Sequence, residues 1–131
     1  MTDSVRLEVP ATLWSLPTIR MVVGGVGARF DLSLDELQDI YLAVEELFCA
    51  ALDMDRNERY SVEVGILDDA VRIAAGTFES AGLWQRLVAK PSSPECLDLC
   101  QLLWRVLDTY SVEGAEGAFS VILVKQRQAR V

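Results

Sequence analysis

The chain has 131 residues, of which 51% are hydrophobic, and 20 acidic against 12 basic residues give a net charge of −8. This length fits a single domain, placed at residues 1–131, that can bury about two-thirds of its unfolded surface. The acidic balance excludes a duplex nucleic-acid partner, because neutralising phosphates needs a basic stripe that the sequence lacks. The first residues lack the positively charged and then apolar pattern of a signal peptide, and charges interrupt every long apolar run. We therefore expect a cytoplasmic protein without membrane segments.

The first two predicted elements are a strand and a helix. Residues 5–9 alternate apolar and charged side chains and stop at Pro10, which is typical of an edge strand. Ser15 is a candidate N-cap for a helix with Pro17 in its first turn. The glycines within residues 24–27 predict a weakened end for this helix.

The second predicted helix covers residues 33–52. Ser33 and Glu36 have the spacing of a capping box, and apolar side chains then recur at helical intervals. Glu46 and Ala50 are one turn apart, so they share a strip of surface away from the apolar stripe. This strip is a candidate site.

The second half of the chain predicts a hairpin, a helix and a closing hairpin. Residues 60–66 and 71–75 flank an Asp-Asp turn, and residues 83–88 have the pattern of a short amphipathic helical turn. Ser93 caps a further helix with Pro94 at its first position, and residues 110–124 form a hairpin around Gly114 and Gly117. The element order predicts an α+β fold, a two-layer α/β sandwich whose mixed, mainly antiparallel sheet carries helices on one face.

The sequence LAVEELFCAAL resembles the N-box helix of the anti-sigma-factor and serine-protein-kinase branch of the histidine-kinase-like ATPases. The element order is also that of this family, whose domain is the Bergerat fold. In the family a glutamate orients or deprotonates the attacking group, and an asparagine four residues later holds the magnesium that bridges the ATP phosphates. Glu46 matches the glutamate, but Ala50 occupies the asparagine position. A methyl group cannot bind magnesium.

Two further nucleotide motifs of that family are altered. The D-x-G-x-G box corresponds to VRIAAGTF, in which Gly76 is retained while Ala74 and Ala75 replace the acid that reads adenine. The phosphate-binding glycine motif corresponds to SPECLDLC, where Pro94 removes an N–H and Glu95 adds a negative charge. The resemblance therefore implies a vestigial nucleotide site at Glu46, Ala50 and Gly76, without catalytic residues and with binding of ATP and magnesium lost.

The isolated residues also have plain interpretations. Glu46 is interpreted as a solvated acid on a helix flank in preference to a retained catalytic base. Gly76 could simply permit a strand end. The three cysteines lie in predicted helices and, with no histidine in the chain, are interpreted as structural thiols, so no metal site is expected. The three tryptophans are interpreted as core or interface packing, and the basic C-terminal tail as a solubilising end.

Arg20 falls on the first helix where anti-sigma relatives carry an arginine that contacts their protein partners. The resemblance thus favours a non-catalytic anti-sigma-factor-like regulator that binds a sigma factor or an antagonist protein, with a homodimer as a further expectation. The main alternative is an ATP-binding serine-protein kinase with atypical ligands, such as Glu45, Asp68 or Asp69. A second alternative is a structural subunit-type interaction module.

Overall fold

The computed structural model describes residues 3–89 and 98–128, which form five strands and four helices in the predicted order. The strands are β1 (Asp3–Pro10), β2 (Arg59–Leu67), β3 (Ala70–Phe78), β4 (Thr109–Ala115) and β5 (Ala118–Gln126). The helices are α1 (Leu16–Arg29), preceded by the 3-10 turn Leu13–Ser15, α2 (Leu34–Met54), α3 (Ala81–Val88) and α4 (Leu99–Val106). The α+β fold class is confirmed.

The sheet has the strand order β1-β2-β3-β5-β4, and every pairing between the described strands is antiparallel. Because side chains alternate across a strand, one row of paired residues, Val62, Ala75 and Val121, faces the helices and is buried. The next row carries Glu63 and Ala74 on the outer face. The core therefore lies between one face of the sheet and the helical layer.

Helix α2 is the central helix of that layer, and its capping box is confirmed. The hydroxyl of Ser33 accepts a hydrogen bond from the Glu36 N–H at 3.1 Å, and the Glu36 carboxylate accepts one from the Ser33 N–H at 2.7 Å. The other Glu36 oxygen accepts a hydrogen bond from the backbone N–H of Gln128 at 2.7 Å. This capping glutamate thus also joins the start of α2 to the C-terminal end of the described chain.

The predicted glycine end of α1 is wrong, because α1 continues through all its glycines to Arg29. A side chain at Gly24 would collide with the Tyr41 hydroxyl, and one at Gly27 would collide with Leu37. The glycines therefore let α1 approach α2 closely, and this packing outweighs their low helix propensity. Ser15 precedes α1 as predicted, but its side chain makes no capping hydrogen bond.

Helix α4 begins at Leu99, after the extended N-cap residue Asp98, and so starts later than predicted. Ser93, Pro94 and Glu95 lie outside the described residues. The basic tail is more than a solubilising end, because Lys125 binds Asp39 of α2 at 3.0 Å and the Arg127 guanidinium lies 4.8 Å from the centre of the Phe30 ring. Among residues 3–89 and 98–128, no helix has the length and apolar character needed to cross a membrane.

Candidate functional site

Glu46 and Ala50 line the same cavity, as their spacing on α2 predicts. We call it the α2 cavity; it has a volume of about 250 Å³ and lies between α2, α3 and α4. Glu46 is exposed at its rim, whereas Ala50 is only 6% exposed. The volume is below the roughly 300–1,000 Å³ of typical small-molecule sites. The space between the described residues of α2, α3 and α4 is therefore smaller than that of a typical small-molecule site.

Helix α3 forms one wall of the α2 cavity and is fixed at its N-terminus. The Ser80 hydroxyl accepts a hydrogen bond from the Leu83 N–H at 3.1 Å, and the Asp55 carboxylate accepts from the N–H groups of Glu79 and Ser80, both at 2.9 Å. Leu83 is fully buried, so α3 contributes to the core as well as to the wall. The chain after β3 is thus held against α2 by specific contacts.

The charges lining the α2 cavity are mainly negative. Glu46, Asp53 and Asp98 contribute three carboxylates, and Arg86 contributes one guanidinium, which points its Nη1 at the Met54 sulfur 3.7 Å away. Among the described lining residues, the charged groups therefore carry an excess of negative charge. Within the part of the chain that the structure describes, no group of three or more acidic, histidine or cysteine residues is arranged to hold a metal ion.

Cys49 of α2 also lines the cavity and is half-buried. Partial burial raises its pKa above 9.0, and the neighbouring carboxylates of Glu46, Glu45 and Asp53 raise the pKa further. A thiol in this environment is a poor nucleophile and a poor metal ligand. Cys100 is buried in α4, which fits a structural thiol, and Cys96 lies outside the described residues.

Gly76 does not line the α2 cavity. It lies near the end of β3, where the pairing with β5 shifts register, and it borders a groove of about 480 Å³ on the outer face of the sheet with Ser61 and Ser120. Its φ of +139° and the Ser120 hydroxyl 2.9 Å from where a Cβ would stand require a glycine. The geometry of this irregular strand end accounts for Gly76 without a nucleotide.

The acidic residues considered as atypical nucleotide ligands are also elsewhere. Glu45 forms an ion pair with Arg20, while Asp68 and Asp69 form the turn between β2 and β3. Since that turn precedes β3 and Gly76 lies near its other end, the two are separated by roughly 20 Å of extended chain. These three carboxylates do not join Glu46 in one cavity.

Arg20 lies on the exposed side of α1, and its guanidinium binds the Glu45 carboxylate of α2. The close approach of the two helices at Gly24 brings these side chains together. Both remain substantially exposed, so the ion pair contributes little to stability.

Beside Arg20 lie exposed apolar residues that the sequence motifs did not single out, although Trp14 was interpreted as core or interface packing. Trp14 is 83% exposed and Met21 is 76% exposed, and Leu13 is exposed as well. Together with Arg20 these residues form what we call the α1 surface. The signal was present in the sequence, because residues 10–30 contain no acidic residue in a chain that has 20. Of the three tryptophans, Trp84 alone packs on the core, with its ring centre 5.2 Å from that of Phe119.

Comparisons with known proteins support the resemblance given by the motifs. The chain is 28% identical over 75 residues to the serine-protein kinase RsbW of Bacillus subtilis, a match that covers 54% of this chain and 47% of that protein. It superposes on the crystal structure of the RsbU and RsbW domains of Rv1364c from Mycobacterium tuberculosis with a TM-score of 0.69 and 17% identity, covering 98% of this chain and 34% of the other. No family model matches the chain.

These two matches confirm the predicted resemblance to the anti-sigma-factor and serine-protein-kinase branch. Because the sequence identity of the structural match is low, this match establishes a shared fold and no shared activity. The chain spans about half the length of the curated relative, so that protein's activity is not transferred to it as a whole.

Proposed function

We propose that this chain is a bacterial, cytoplasmic and non-catalytic regulator of the anti-sigma-factor type, a pseudokinase that binds a protein partner through the α1 surface. The partner class is a sigma factor or an antagonist protein. The α1 surface carries this proposal, because it exposes a tryptophan and a methionine beside an arginine, the side-chain types that dominate binding at protein interfaces.

The charge distribution supports a partner with acidic residues around an apolar contact. The whole chain carries a net charge of −8, but residues 10–30 contain Arg20 and Arg29 and no acid. An acidic partner would be repelled by most of the molecule and attracted to this segment, which favours one docking orientation. Arg20 could then exchange Glu45 for a carboxylate of the partner.

The α2 cavity supports the loss of ATP binding. It is small, it has an excess of carboxylates, and Ala50 offers no oxygen to a magnesium ion. A regulator that has lost nucleotide binding would depend on partner concentration alone. No cofactor is therefore proposed.

The test measures binding of purified sigma factors and antagonist proteins of the host by titration calorimetry. Arg20→Glu should weaken the partner's affinity by about tenfold or more while leaving thermal stability nearly unchanged. Glu45→Gln should preserve or strengthen binding, because it frees Arg20 from its intramolecular ion pair. Arg56→Glu, an equal charge reversal at an exposed position beyond the end of α2, is the matched control.

Two results would contradict the proposal. Equal affinity of wild type and Arg20→Glu for a bound partner would remove the α1 surface from the interface. Phosphorylation of an antagonist protein by the wild-type chain in the presence of Mg-ATP would instead establish the kinase alternative.

A further inference from the structure

Strand β4 lies at one edge of the sheet, with β5 as its neighbour among the described strands. The free side of an edge strand presents backbone N–H and C=O groups that a further strand can pair with. Many edge strands discourage such pairing with proline or several charged side chains, but β4 contains no proline and a single charged residue, Glu113. Its extended geometry runs over residues 109–113, before Gly114 with its φ of +110°. Strand β4 therefore offers a short stretch of free edge.

Four apolar side chains on the helix side of this edge are incompletely covered. Tyr110 and Val112 of β4 face the helices, because the residues that they pair with on β5 are buried, yet both are only half-buried. Trp104, in the last turn of α4, is 56% exposed, and Val88, the last residue of α3, is 50% exposed. We call these four residues the β4 surface.

The Trp104 ring is held in place by Tyr110. The two ring centres lie 5.0 Å apart, and the Trp104 side chain forms a hydrogen bond with the Tyr110 hydroxyl, which donates in turn to the Leu87 carbonyl at 2.9 Å. Burial raises the pKa of Tyr110 to about 12, so this hydroxyl stays protonated at neutral pH. Because the indole N–H is the only polar group of a tryptophan side chain, Trp104 offers a partner an apolar ring that is already ordered.

The charges around the β4 surface favour an acidic segment as its occupant. Helices α3 and α4 contain no acidic residue, although the whole chain has a net charge of −8. Arg105 follows Trp104 in the last turn of α4, is exposed, and forms no ion pair with any described residue. Of the described acids that follow it, Asp108 accepts a hydrogen bond from the Gln126 N–H at 2.7 Å, and Glu113 lies on the outer face of the sheet. Arg105 is therefore available to a carboxylate from outside the chain.

We propose that the β4 surface binds an extended acidic segment of a protein partner, which pairs with the free edge of β4 as an additional strand. An apolar or aromatic side chain of that segment lies against Trp104, and an acidic side chain meets Arg105. In strand addition of this kind, main-chain hydrogen bonds give affinity and alternate side chains give specificity. The proposal concerns a second surface and does not depend on partner binding at the α1 surface.

Two other kinds of occupant fit the β4 surface less well. A proline-rich segment has few N–H groups to give to a strand edge, and its carbonyls need donors from the aromatic residues. Here the Trp104 indole and the Tyr110 hydroxyl already form hydrogen bonds within the chain. A partner helix would cover the Trp104 ring but would satisfy none of the free backbone groups of β4, because its own backbone bonds are internal.

The test is a titration of the full chain with a designed peptide, followed by nuclear magnetic resonance of the backbone amides. The probe is acetyl-Glu-Thr-Val-Thr-Phe-Thr-Val-Thr-Glu-amide, in which threonines alternate with a row of apolar and acidic side chains. An acid at each end of that row lets either strand direction bring a carboxylate to Arg105. Saturable shifts are expected at the amides of residues 109–113 and at the Trp104 indole.

Two side chains of the site are tested by substitution. Trp104→Ala should raise the dissociation constant of the probe by about tenfold or more, whereas Trp14→Ala, an equal truncation on the α1 surface, should leave it unchanged. Arg105→Glu should raise it by about tenfold or more, and a probe with lysine in place of both glutamates should bind this variant to within about threefold of the wild-type constant. Arg56→Glu is the matched charge control, and far-UV circular dichroism verifies that each variant is folded.

Backbone pairing is tested by methylating the amides of the probe. Successive N–H groups of a strand point to opposite edges, so one alternate set faces β4 and the other faces solvent. One of the two methylated probes should therefore bind about tenfold or more weakly, while the other keeps its affinity to within about threefold. Equal affinities of the two methylated probes would mean apolar adsorption without strand pairing and would overturn the proposal.

Three further results would also overturn it. One is the absence of saturable shifts at a millimolar concentration of the probe. Another is an equal loss of affinity in Trp104→Ala and Trp14→Ala. A third is a shift of residues 109–113 that depends on the concentration of the chain alone, which would assign this edge to a second copy. Failure of the α1 surface is distinguishable, because Arg20→Glu should not change binding of the probe.

Discussion

The charged groups that line the α2 cavity are mainly carboxylates among the described residues, whereas the α1 surface is exposed, largely apolar and without an acidic residue. The two regions share a boundary, since Glu45 on one flank of α2 binds Arg20 while the next residue, Glu46, lies at the rim of the cavity. Resemblance to a nucleotide motif and suitability for binding a partner are therefore separate properties of this chain. The nucleotide motif lies on α2, but exposure and charge indicate the α1 surface as the region that binds a partner.

The largest effect is expected from disrupting the buried face of α2, because this helix contributes residues next to both regions. Val44 is 3% exposed at the centre of the buried stripe of α2. Val44→Asp places an unpaired charge there, which costs several kcal/mol and should unfold the domain or make it insoluble. Leu42→Asp, on the more exposed flank of the same helix, should remain folded. A well-folded Val44→Asp variant with an unchanged melting temperature would contradict the observed helix register.

A smaller change should disturb the α1 surface while leaving the residues of the cavity in place. Gly24→Val brings a side chain against the Tyr41 hydroxyl and should lower the free energy of unfolding by about 1–3 kcal/mol, with weaker partner binding. Gly25 has open space around its missing side chain, so Gly25→Ala should stabilise the chain by about 0.5–1 kcal/mol. Chemical denaturation measures both, and equal effects of the two substitutions would contradict the close approach of α1 to α2.

The smallest effect concerns the cavity alone. In a Cys96→Ser/Cys100→Ser background, Cys49 should react with iodoacetamide more slowly at neutral pH than a thiol in an unfolded peptide, because burial and nearby carboxylates raise its pKa. Glu46→Gln removes one of those carboxylates and should speed the reaction, whereas Glu63→Gln on the outer face of the sheet should not. Identical rates in all three proteins would contradict the acidic environment of the cavity.

The raised pKa of Cys49 also determines how the stability of the fold changes with pH. Since the pKa of Cys49 is higher in the folded chain than its ordinary value of 9.0, the folded state holds this proton more tightly. The resulting contribution to stability is complete below pH 9.0 and is lost as the pH rises through the folded pKa. Urea denaturation at a series of alkaline pH values should show this loss, and Cys49→Ser should reduce it.

Local chemistry made much of the fold predictable. The Ser33–Glu36 capping box fixed the start of α2, and the Asp-Asp turn at residues 68–69 identified the β2–β3 hairpin. The extent of α1 was not predictable, because Gly24 and Gly27 are needed where Tyr41 and Leu37 of α2 pack closely against it. Tertiary contact overrode local propensity there.

The candidate site was predictable only in part. Helical spacing placed Glu46 and Ala50 together, but the neighbouring carboxylates of Asp53 and Asp98 and the guanidinium of Arg86 come together only in the folded chain. Trp14 could not be distinguished from Trp84 by residue type, since the sequence does not tell which tryptophan the helices cover. An apolar segment without acids in an acidic chain was the available signal for the α1 surface.

Titration calorimetry with millimolar Mg-ATP tests whether the chain has lost nucleotide binding, with Ala50→Asn and Glu46→Ala as companion variants. We expect no saturable heat for the wild type, because Ala50 provides no magnesium ligand and the cavity carboxylates repel phosphate. Ala50→Asn should not restore binding, since the small acidic cavity is unchanged around it. Saturable binding of Mg-ATP by the wild type, abolished by Glu46→Ala, would contradict the loss of nucleotide binding and favour the ATP-binding kinase alternative.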